Sequence, residues 1–386
     1  MKKIPFILII ALCLFLGTMT IATSAYGTPE SIVAGGKVYV SSVTYDPEVF
    51  FTGDTGTVTF DVTNGNTDQG VVVDHATLYD NNIKLKSGSY ESSSNIAPLQ
   101  TRTFIFSIAA DVPNGIYYPT FSLSLRDANL LWYKTMVQID NTPLVVTILD
   151  KPDAFTQGRK KTMNVQVANP RKNNVYSVLL EISGTGITST PSKIFIGELG
   201  WGANKTVNIA ITPDQPTTLV TTVYYANGDN IHTVTTELPI VFGIDKKQAN
   251  PVVSNIQVKS DTGIYHVTGD VTNAGLETAN AVMVTTLSPA VPQDPYRTYV
   301  VGALKPDDFG SFEVTFSAQN GSGIPIQLSY KDADGNIITS TYDVKLSSLP
   351  TSSQKNDLPI LPIVVVVIIV GVFAGGWVIY LRRNKK

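Results

Sequence analysis

The chain has 386 residues, with 28 basic and 31 acidic side chains, three histidines and one cysteine. This length is enough for two to three domains of ordinary size. The lone cysteine excludes an internal disulfide framework, and the slightly negative charge disfavours nucleic acid as a partner.

The amino terminus predicts a secretory signal peptide over residues 1–27. Met1, Lys2 and Lys3 form a short basic region, residues 4–21 are apolar, and small residues follow. An uncleaved amino-terminal anchor is the alternative, because no small-residue site is a clean Ala-x-Ala. Cys13 lies in the apolar region, so cleavage would leave a mature chain without cysteine. Each exported domain would then depend on its own apolar core.

A recurring spacing between the two ends indicates a row of three similar units. In each unit an alternating segment ends in asparagine, at Asn64, Asn169 and Asn273. A leucine follows, and 28 residues after it comes a polar turn: Leu99 to Asp127, Leu199 to Asn227, and Leu304 to Asp332. We predict that the three leucines belong to the framework of the core.

Local patterns predict strands throughout this region. Residues 57–63, 162–168 and 265–272 alternate with period two, and no comparable stretch between the ends has sustained helical periodicity. Asn-Gly and Asp-Gly turns punctuate them, as at Asn64-Gly65. Units of about 100 residues with this pattern predict antiparallel two-sheet sandwiches, which we place at residues 36–141, 143–245 and 250–346.

The carboxyl terminus predicts a membrane anchor. Residues 347–359 form a polar stalk, and the uncharged apolar segment 360–381 is long enough to span the bilayer as a helix. The basic tail 382–386 would be cytoplasmic by the positive-inside rule. The exterior then carries 22 basic and 31 acidic residues, a net charge of about −9.

Gly371 and Gly375 lie four residues apart in the predicted span. This spacing places both on one helix face, where a second helix can approach closely. The helix of a transporter or a second copy of this chain would fit there. Glycine is also frequent in membrane helices without such a partner.

Residue patterns of catalysis are missing from the sequence. His75, His232 and His266 fall in different units without metal-ligand spacing, and no Gly-x-Ser-x-Gly elbow or phosphate-binding glycine loop occurs. We therefore predict no catalytic residue and no cofactor.

Two weaker kinds of site are indicated. Asp332, Asp334 and Asn336 could direct oxygen ligands at Ca²⁺, although their glycine is misplaced for a calcium loop and a hairpin turn explains the same residues. Asn204 and Asn320 begin Asn-x-Ser/Thr triplets, which are acceptors for N-glycosylation in an exported chain.

Short motifs give the chain a family resemblance. Val-Thr-Asn-Gly at 62–65, Val-Thr-Asn-Ala-Gly at 271–275, Ile-Gly-Glu-Leu at 196–199 and Val-Gly-Ala-Leu at 301–304 resemble the repeats of archaeal S-layer-related surface proteins and of CARDB cell-adhesion modules. The resemblance implies three tandem immunoglobulin-like domains on a cell-surface protein, some relatives being associated with transporters. The second unit departs from the pattern at Asn169-Pro170-Arg171, where proline replaces the turn glycine.

These patterns together predict a non-enzymatic, single-pass cell-membrane protein with its ectodomain outside. Its function would be adhesion, envelope scaffolding or binding of an envelope protein or glycan. The alternative is an extracytoplasmic accessory subunit of an ABC-type transporter.

Overall fold

The computed structural model describes residues 28–261, 263–319 and 323–346. The predicted signal peptide, stalk, membrane span and tail lie outside these residues, as do Asn320, Gly371 and Gly375. Within the described ranges, no helix has the length and apolar character needed to cross a bilayer.

The prediction of an all-β chain is confirmed. The described residues contain 27 strands and one short helix, α1 (Pro29–Gly35), whose first turn is capped by the side chain of Thr28. The chain divides into two compact units, the first ending at Lys247 and the second beginning at Gln248.

The first core of unit 1 is aromatic and lies between two antiparallel sheets. Phe60 stacks on Phe121 with ring centroids 4.4 Å apart, and Phe104 and Phe106 pack around them. One sheet has the strand order β1 (Val38–Asp46), β3 (Thr55–Asn64), β7 (Thr101–Ala109), β5 (Lys84–Leu85). The other has the order β10 (Leu131–Lys134), β9 (Thr120–Leu125), β4 (Val71–Tyr79), β6 (Ser94–Ile96). A small third sheet joins β2 (Val49–Phe50), β11 (Val137–Ile139) and β8 (Gly115–Tyr117).

The second core of unit 1 is mainly aliphatic and includes Val165, Leu180, Ile209 and Val223. Its first sheet has the order β12 (Val145–Leu149), β13 (Lys161–Ala168), β17 (Asn204–Pro213), β15 (Ile187–Thr190). Its second sheet has the order β16 (Lys193–Leu199), β14 (Val175–Ser183), β18 (Thr217–Asn227), β19 (Asn230–Ile240).

Unit 2 encloses a third core, which includes Val267, Val284, Phe316 and Leu328. Its first sheet has the order β20 (Pro251–Asp261), β21 (Ile264–Asn273), β25 (Phe309–Ser317), β23 (Val291–Pro292). Its second sheet has the order β24 (Thr298–Leu304), β22 (Ala279–Thr286), β26 (Gly323–Lys331), β27 (Ile337–Lys345). The strand order matches that around the second core, strand for strand. The exact domain bounds given above stay a prediction.

The three asparagines that end the alternating segments, here called the brace asparagines, are buried. The side-chain amide of Asn169 donates to the carbonyl oxygens of Asn173 and Leu199, each at 2.9 Å. Its Oδ1 accepts the backbone N–H of Arg171 at 3.0 Å. One side chain thus ties the end of β13 to the loop that follows it and to the end of β16, satisfying backbone groups that are shielded from water.

The same pattern recurs at the other two brace asparagines. Asn64 donates to the carbonyls of Gln69 and Ile96, and its Oδ1 accepts from Asn66. Asn273 donates to the carbonyls of Glu277 and Leu304, and its Oδ1 accepts from Gly275.

The prediction that Leu99 is the counterpart of Leu199 and Leu304 is wrong by three residues. Leu99 is 62% exposed, whereas Leu199 and Leu304 are each 4% exposed. The brace identifies Ile96 as the core counterpart, because its carbonyl accepts the Asn64 amide. Leu99 sits instead at a left-handed turn position with φ of 57°, where the other two sequence repeats place Gly202 and Asp307.

The corrected alignment of the repeats predicts different effects for substitutions at Ile96 and Leu99. We expect Ile96→Ala to lower the free energy of unfolding by about 2 to 4 kcal/mol through loss of core packing. Leu99→Asn should be neutral or stabilising by up to about 1 kcal/mol, because asparagine tolerates the left-handed region better than leucine. Urea unfolding of both variants measures the difference, and equal costs would contradict the alignment.

The brace itself can be tested at Asn273. We expect Asn273→Asp to destabilise unit 2 by about 2 to 4 kcal/mol, because two buried carbonyls lose their donor and a carboxylate is buried in its place. Hydrogen exchange of unit 2 peptides across a urea series measures this cost. Asn280→Asp, at an exposed position of β22, is the matched control. Similar changes in both variants would rule out the bracing role.

Candidate functional site: a buried junction in unit 1

The candidate site is a polar junction within unit 1. It lies between the two four-stranded sheets around the first core, here called the first sheet pair, and the two around the second core, here called the second sheet pair. At its centre, Arg171 is only 1% exposed, and its guanidinium donates to the carbonyls of Thr142 at 3.0 Å and Val49 at 3.1 Å. It also donates to the carbonyl of Asp140 and to Oδ1 of Asn173. The Arg171 side chain, in the loop after β13, therefore holds β2 of the small third sheet and the linker after β11.

Arg171 is placed by its local sequence. Its backbone N–H is held by the brace Asn169, and Pro170 before it restricts the backbone of this turn. The corresponding positions, two residues after the other brace asparagines, carry Asn66 and Gly275. The second sequence repeat, which surrounds the second core of unit 1, thus uses a shared structural position for a long cationic side chain.

The ring of Phe51 covers the guanidinium. The Arg171 Cζ lies 3.6 Å from the centroid of the Phe51 ring, a cation–π contact. The ring of His232 stacks on Phe51 with centroids 4.0 Å apart, and Tyr225 packs beside both. The Phe51 ring thus shields the guanidinium of Arg171 from water and interacts favourably with its charge.

Asp54 is a second buried residue of the junction, with 2% of its surface exposed. Its carboxylate accepts the backbone N–H of Phe51 at 2.9 Å, the Asn227 amide at 2.8 Å and His232 Nε2 at 2.9 Å. Two of these donors, Asn227 and His232, come from the second sheet pair. The carboxylate is therefore a second point of attachment across the junction.

The hairpin between β18 and β19 completes the junction. The pairing of Asn227 with Asn230 confirms the predicted turn there. Asn230 Oδ1 accepts from the backbone N–H of Thr55 at 3.0 Å, and its Nδ2 donates to the Thr55 carbonyl at 2.8 Å. A Cβ on Gly228, whose φ is 58°, would lie 3.0 Å from Pro47 Cδ, so the turn is packed closely against the first sheet pair.

Burial and neighbouring charges shift the pKa values of Arg171 and Asp140 in opposite directions. Burial lowers the pKa of Arg171, while the charge of Asp140 acts to raise it. The pKa of Asp140 is lowered overall: burial raises it, but hydrogen bonds from Thr142 and the charges of Arg171 and Lys172 outweigh that influence. Burial raises the pKa of the Tyr225 phenol.

Chemically, this arrangement is suited to holding two bodies together. The guanidinium is covered by Phe51 and its hydrogen bonds are directed at acceptors of the protein itself, so it offers no open face to a substrate. Planar, multidentate bonding of this kind fixes an orientation as well as a distance.

The other predicted site residues make none of the junction contacts described above. Asp332 accepts the backbone N–H of Asn336 at 2.8 Å and its amide at 2.7 Å, so its carboxylate oxygens close the turn before β27. Asp334 lies in the same turn. Among the described residues no group of three or more His, Cys, Asp or Glu is arranged to hold a metal; the calcium hypothesis stays a prediction.

Asn204, the predicted glycosylation acceptor, is exposed at the start of β17, and its Oδ1 lies 3.4 Å from the donating Gln166 amide. Its use as an acceptor stays a prediction.

Each histidine contacts one carboxylate: His75 with Glu91, His232 with Asp54 and His266 with Glu313. No two of the three histidines share a carboxylate partner.

Comparison with known proteins gives similarity without an assigned activity. No family model matches the chain. It is 30% identical over 216 residues to an uncharacterized protein, MJ0795, of the archaeon Methanocaldococcus jannaschii. That match spans 55% of this chain and 41% of the relative.

Two solved structures align with about half of the chain at low TM-scores. Red sea bream transglutaminase aligns with a TM-score of 0.23 and 13% identity, covering 54% of this chain and 32% of the enzyme. A Porphyromonas gingivalis protein of unknown function aligns with a TM-score of 0.21 and 14% identity, covering 53% of this chain and all of that protein. At these scores neither alignment bears on function.

The junction predicts a specific effect of Arg171→Met. Methionine keeps much of the apolar volume but leaves the Val49, Thr142 and Asp140 carbonyls without their donor, so docking should weaken by about 3 to 5 kcal/mol. Spin labels at Ser92→Cys and Ser192→Cys, in a Cys13→Ser background, would report the distance between the two sheet pairs. We expect a narrow distribution with Arg171 and a broad one with methionine.

Arg159→Met, at a position outside the junction, is the matched control and should leave the distribution narrow. A narrow distribution in Arg171→Met would show that the junction holds without the guanidinium.

Proposed function

We propose that this chain is a non-enzymatic, membrane-anchored cell-surface protein with tandem immunoglobulin-like sandwiches. Its ectodomain would serve adhesion, envelope scaffolding or partner binding. The observation that carries the proposal is the Arg171 junction, in which a buried guanidinium holds two sheet pairs in one arrangement.

Rigid coupling suits a presenting role. A protein that displays binding surfaces loses less conformational entropy on association when the bodies carrying them are already fixed. The antiparallel sheets around separate cores, with the same strand order repeated, support immunoglobulin-like sandwiches as the finer description.

The membrane anchor rests on sequence. A basic and apolar amino terminus, a polar segment at 347–359, an apolar segment at 360–381 and a basic end follow one another in the order expected of an exported single-pass protein. The similarity to a protein of an archaeon supports an archaeal host.

Cysteine labelling in the native host tests the orientation. In a Cys13→Ser background, intact cells would be treated with a membrane-impermeant maleimide. We expect Ser92→Cys, which is exposed in unit 1, to be labelled on intact cells. Asn384→Cys, in the predicted tail, should be labelled only after lysis. Labelling of Ser92→Cys only after lysis would overturn the proposal.

The rigid junction can be tied to function in the same cells. Arg171→Met should reduce retention of envelope partners after chemical crosslinking, while surface labelling at position 92 stays unchanged. Arg159→Met serves as the control and should retain the partners. Recovery of a stoichiometric permease instead of envelope components would favour the transporter subunit.

A further inference from the structure

A groove of about 390 Å³ lies on the outer face of the first sheet of unit 2. Two cross-strand rows line it, one of Gln257, Thr268 and Glu313, the other of Asn255, Asp270 and Ser311. Its volume falls within the range of small-molecule sites, roughly 300 to 1,000 Å³.

A bulge in β20 assembles the polar side of this groove. The register with β21 shifts between Ser254 and Gln257, and Asn255 adopts a left-handed φ of 53°. Asparagine accepts this conformation readily. As a result, Asn255 donates to Asp270 Oδ2 at 2.8 Å and still lies along the same groove as Gln257.

Asp270 is held as an oriented acceptor. Ser311 donates to its Oδ1 at 2.7 Å, and the hydrogen bonds from Asn255 and Ser311 lower the pKa of this carboxyl. Each carboxylate oxygen has a second lone pair that can accept from a ligand hydroxyl. Glu313, held by His266 at 2.9 Å, is a further acceptor on the adjacent row.

Two tyrosines form the wall of the groove. Tyr296 and Tyr299 have ring centroids 6.0 Å apart at 57°, and the backbone of Tyr296 is fixed because its carbonyl accepts the N–H of Thr315 at 2.9 Å. Tyr296 is 39% exposed, so part of its ring is open to a ligand. A tyrosine ring offers an apolar face and a polar hydroxyl together.

The polar row alone is not distinctive. In the first sheet of unit 1, Ser42 and Thr103 donate to Asp61 at 2.7 and 2.6 Å, in the same cross-strand arrangement. That row therefore stabilises the sheet wherever it occurs. What unit 2 adds is the pair of tyrosines with Glu313 and Gln257 beside the row.

We propose that this groove binds an uncharged saccharide. A sugar ring has an apolar C–H face that can pack on Tyr296 and hydroxyls that can donate to Asp270 and Glu313 and accept from Asn255 and Gln257. The ten lining residues include two carboxylates and no lysine or arginine, which disfavours an acidic sugar. The groove volume of about 390 Å³ is larger than a single ammonium group requires.

The test uses the full chain in a detergent without a sugar headgroup. Neutral hexose and N-acetylhexosamine oligomers, glucuronate oligomers and tetramethylammonium are the probes, and calorimetric titration measures binding. We expect binding of a neutral oligomer that weakens at least about tenfold in Tyr296→Ala, with an unchanged melting temperature, and in Asp270→Asn, whose melting temperature should fall no further than that of the Asp61→Asn control. Asp61→Asn and Tyr118→Ala, both in unit 1, are matched controls and should bind within about twofold of the parent.

Several results would overturn the inference: no neutral oligomer binding at millimolar concentration, equal binding in the groove variants, or preference for the acidic or cationic probe. Comparing free oligomers with isolated envelope polysaccharide then distinguishes a soluble sugar from an envelope polymer. The measurement is made on purified protein, so its outcome is independent of the cell-surface orientation proposed above.

Discussion

Buried asparagine amides at the strand ends are the constraint on which the rest of this structure depends. Where β3, β13 and β21 end, backbone carbonyls of the neighbouring strand and loop are shielded from water and need donors. Asn64, Asn169 and Asn273 meet this need with one NH₂ group each, while their Oδ1 atoms orient the backbone two residues later. Strand end, turn and opposite sheet are thereby fixed together.

The residue two positions after each brace asparagine is then free to differ. Asn66 stays local, donating to the carbonyl of Ala34 in α1. Gly275 leaves room for close approach, since a Cβ there would lie 2.3 Å from the Gln248 carbonyl. Arg171 instead reaches the carbonyl of Val49, in β2 of the small third sheet. The same brace thus supports a helix contact, a backbone contact and a junction between sheet pairs.

Burying Arg171 is costly in desolvation, and a buried ionic cluster is weak evidence for added stability. Its partners are better understood as setting orientation. A flat apolar contact between Phe51 and the second sheet pair would tolerate sliding, whereas three carbonyls and a guanidinium fork allow one arrangement. Asp54 also fixes this orientation, because its carboxylate oxygens accept from the backbone N–H of Phe51 and from Asn227 and His232 of the second sheet pair.

Much of the fold could be predicted from sequence because period-two alternation, as in residues 57–63, follows directly from burial of one sheet face. The alignment of the three sequence repeats failed at Leu99. There an apolar residue occupies a left-handed turn position that the other two repeats give to Gly202 and Asp307. Hydrophobicity alone could not separate it from Ile96, three residues earlier. The turn at Asn227 was predictable from Asn-Gly, but its docking on Thr55 was not.

The junction and the groove share a reason for escaping sequence analysis. Arg171 meets Val49 across 122 residues, and the groove needs a bulge in β20 to bring Asn255 beside Asp270. The sequence did carry a sign of the first, since Pro170-Arg171 broke the repeated Asn-x-Gly pattern. It carried none of the second, because the same polar row also exists around Asp61. In a repeated fold, shared residues maintain the framework, so candidate functions concentrate where one copy departs from the others.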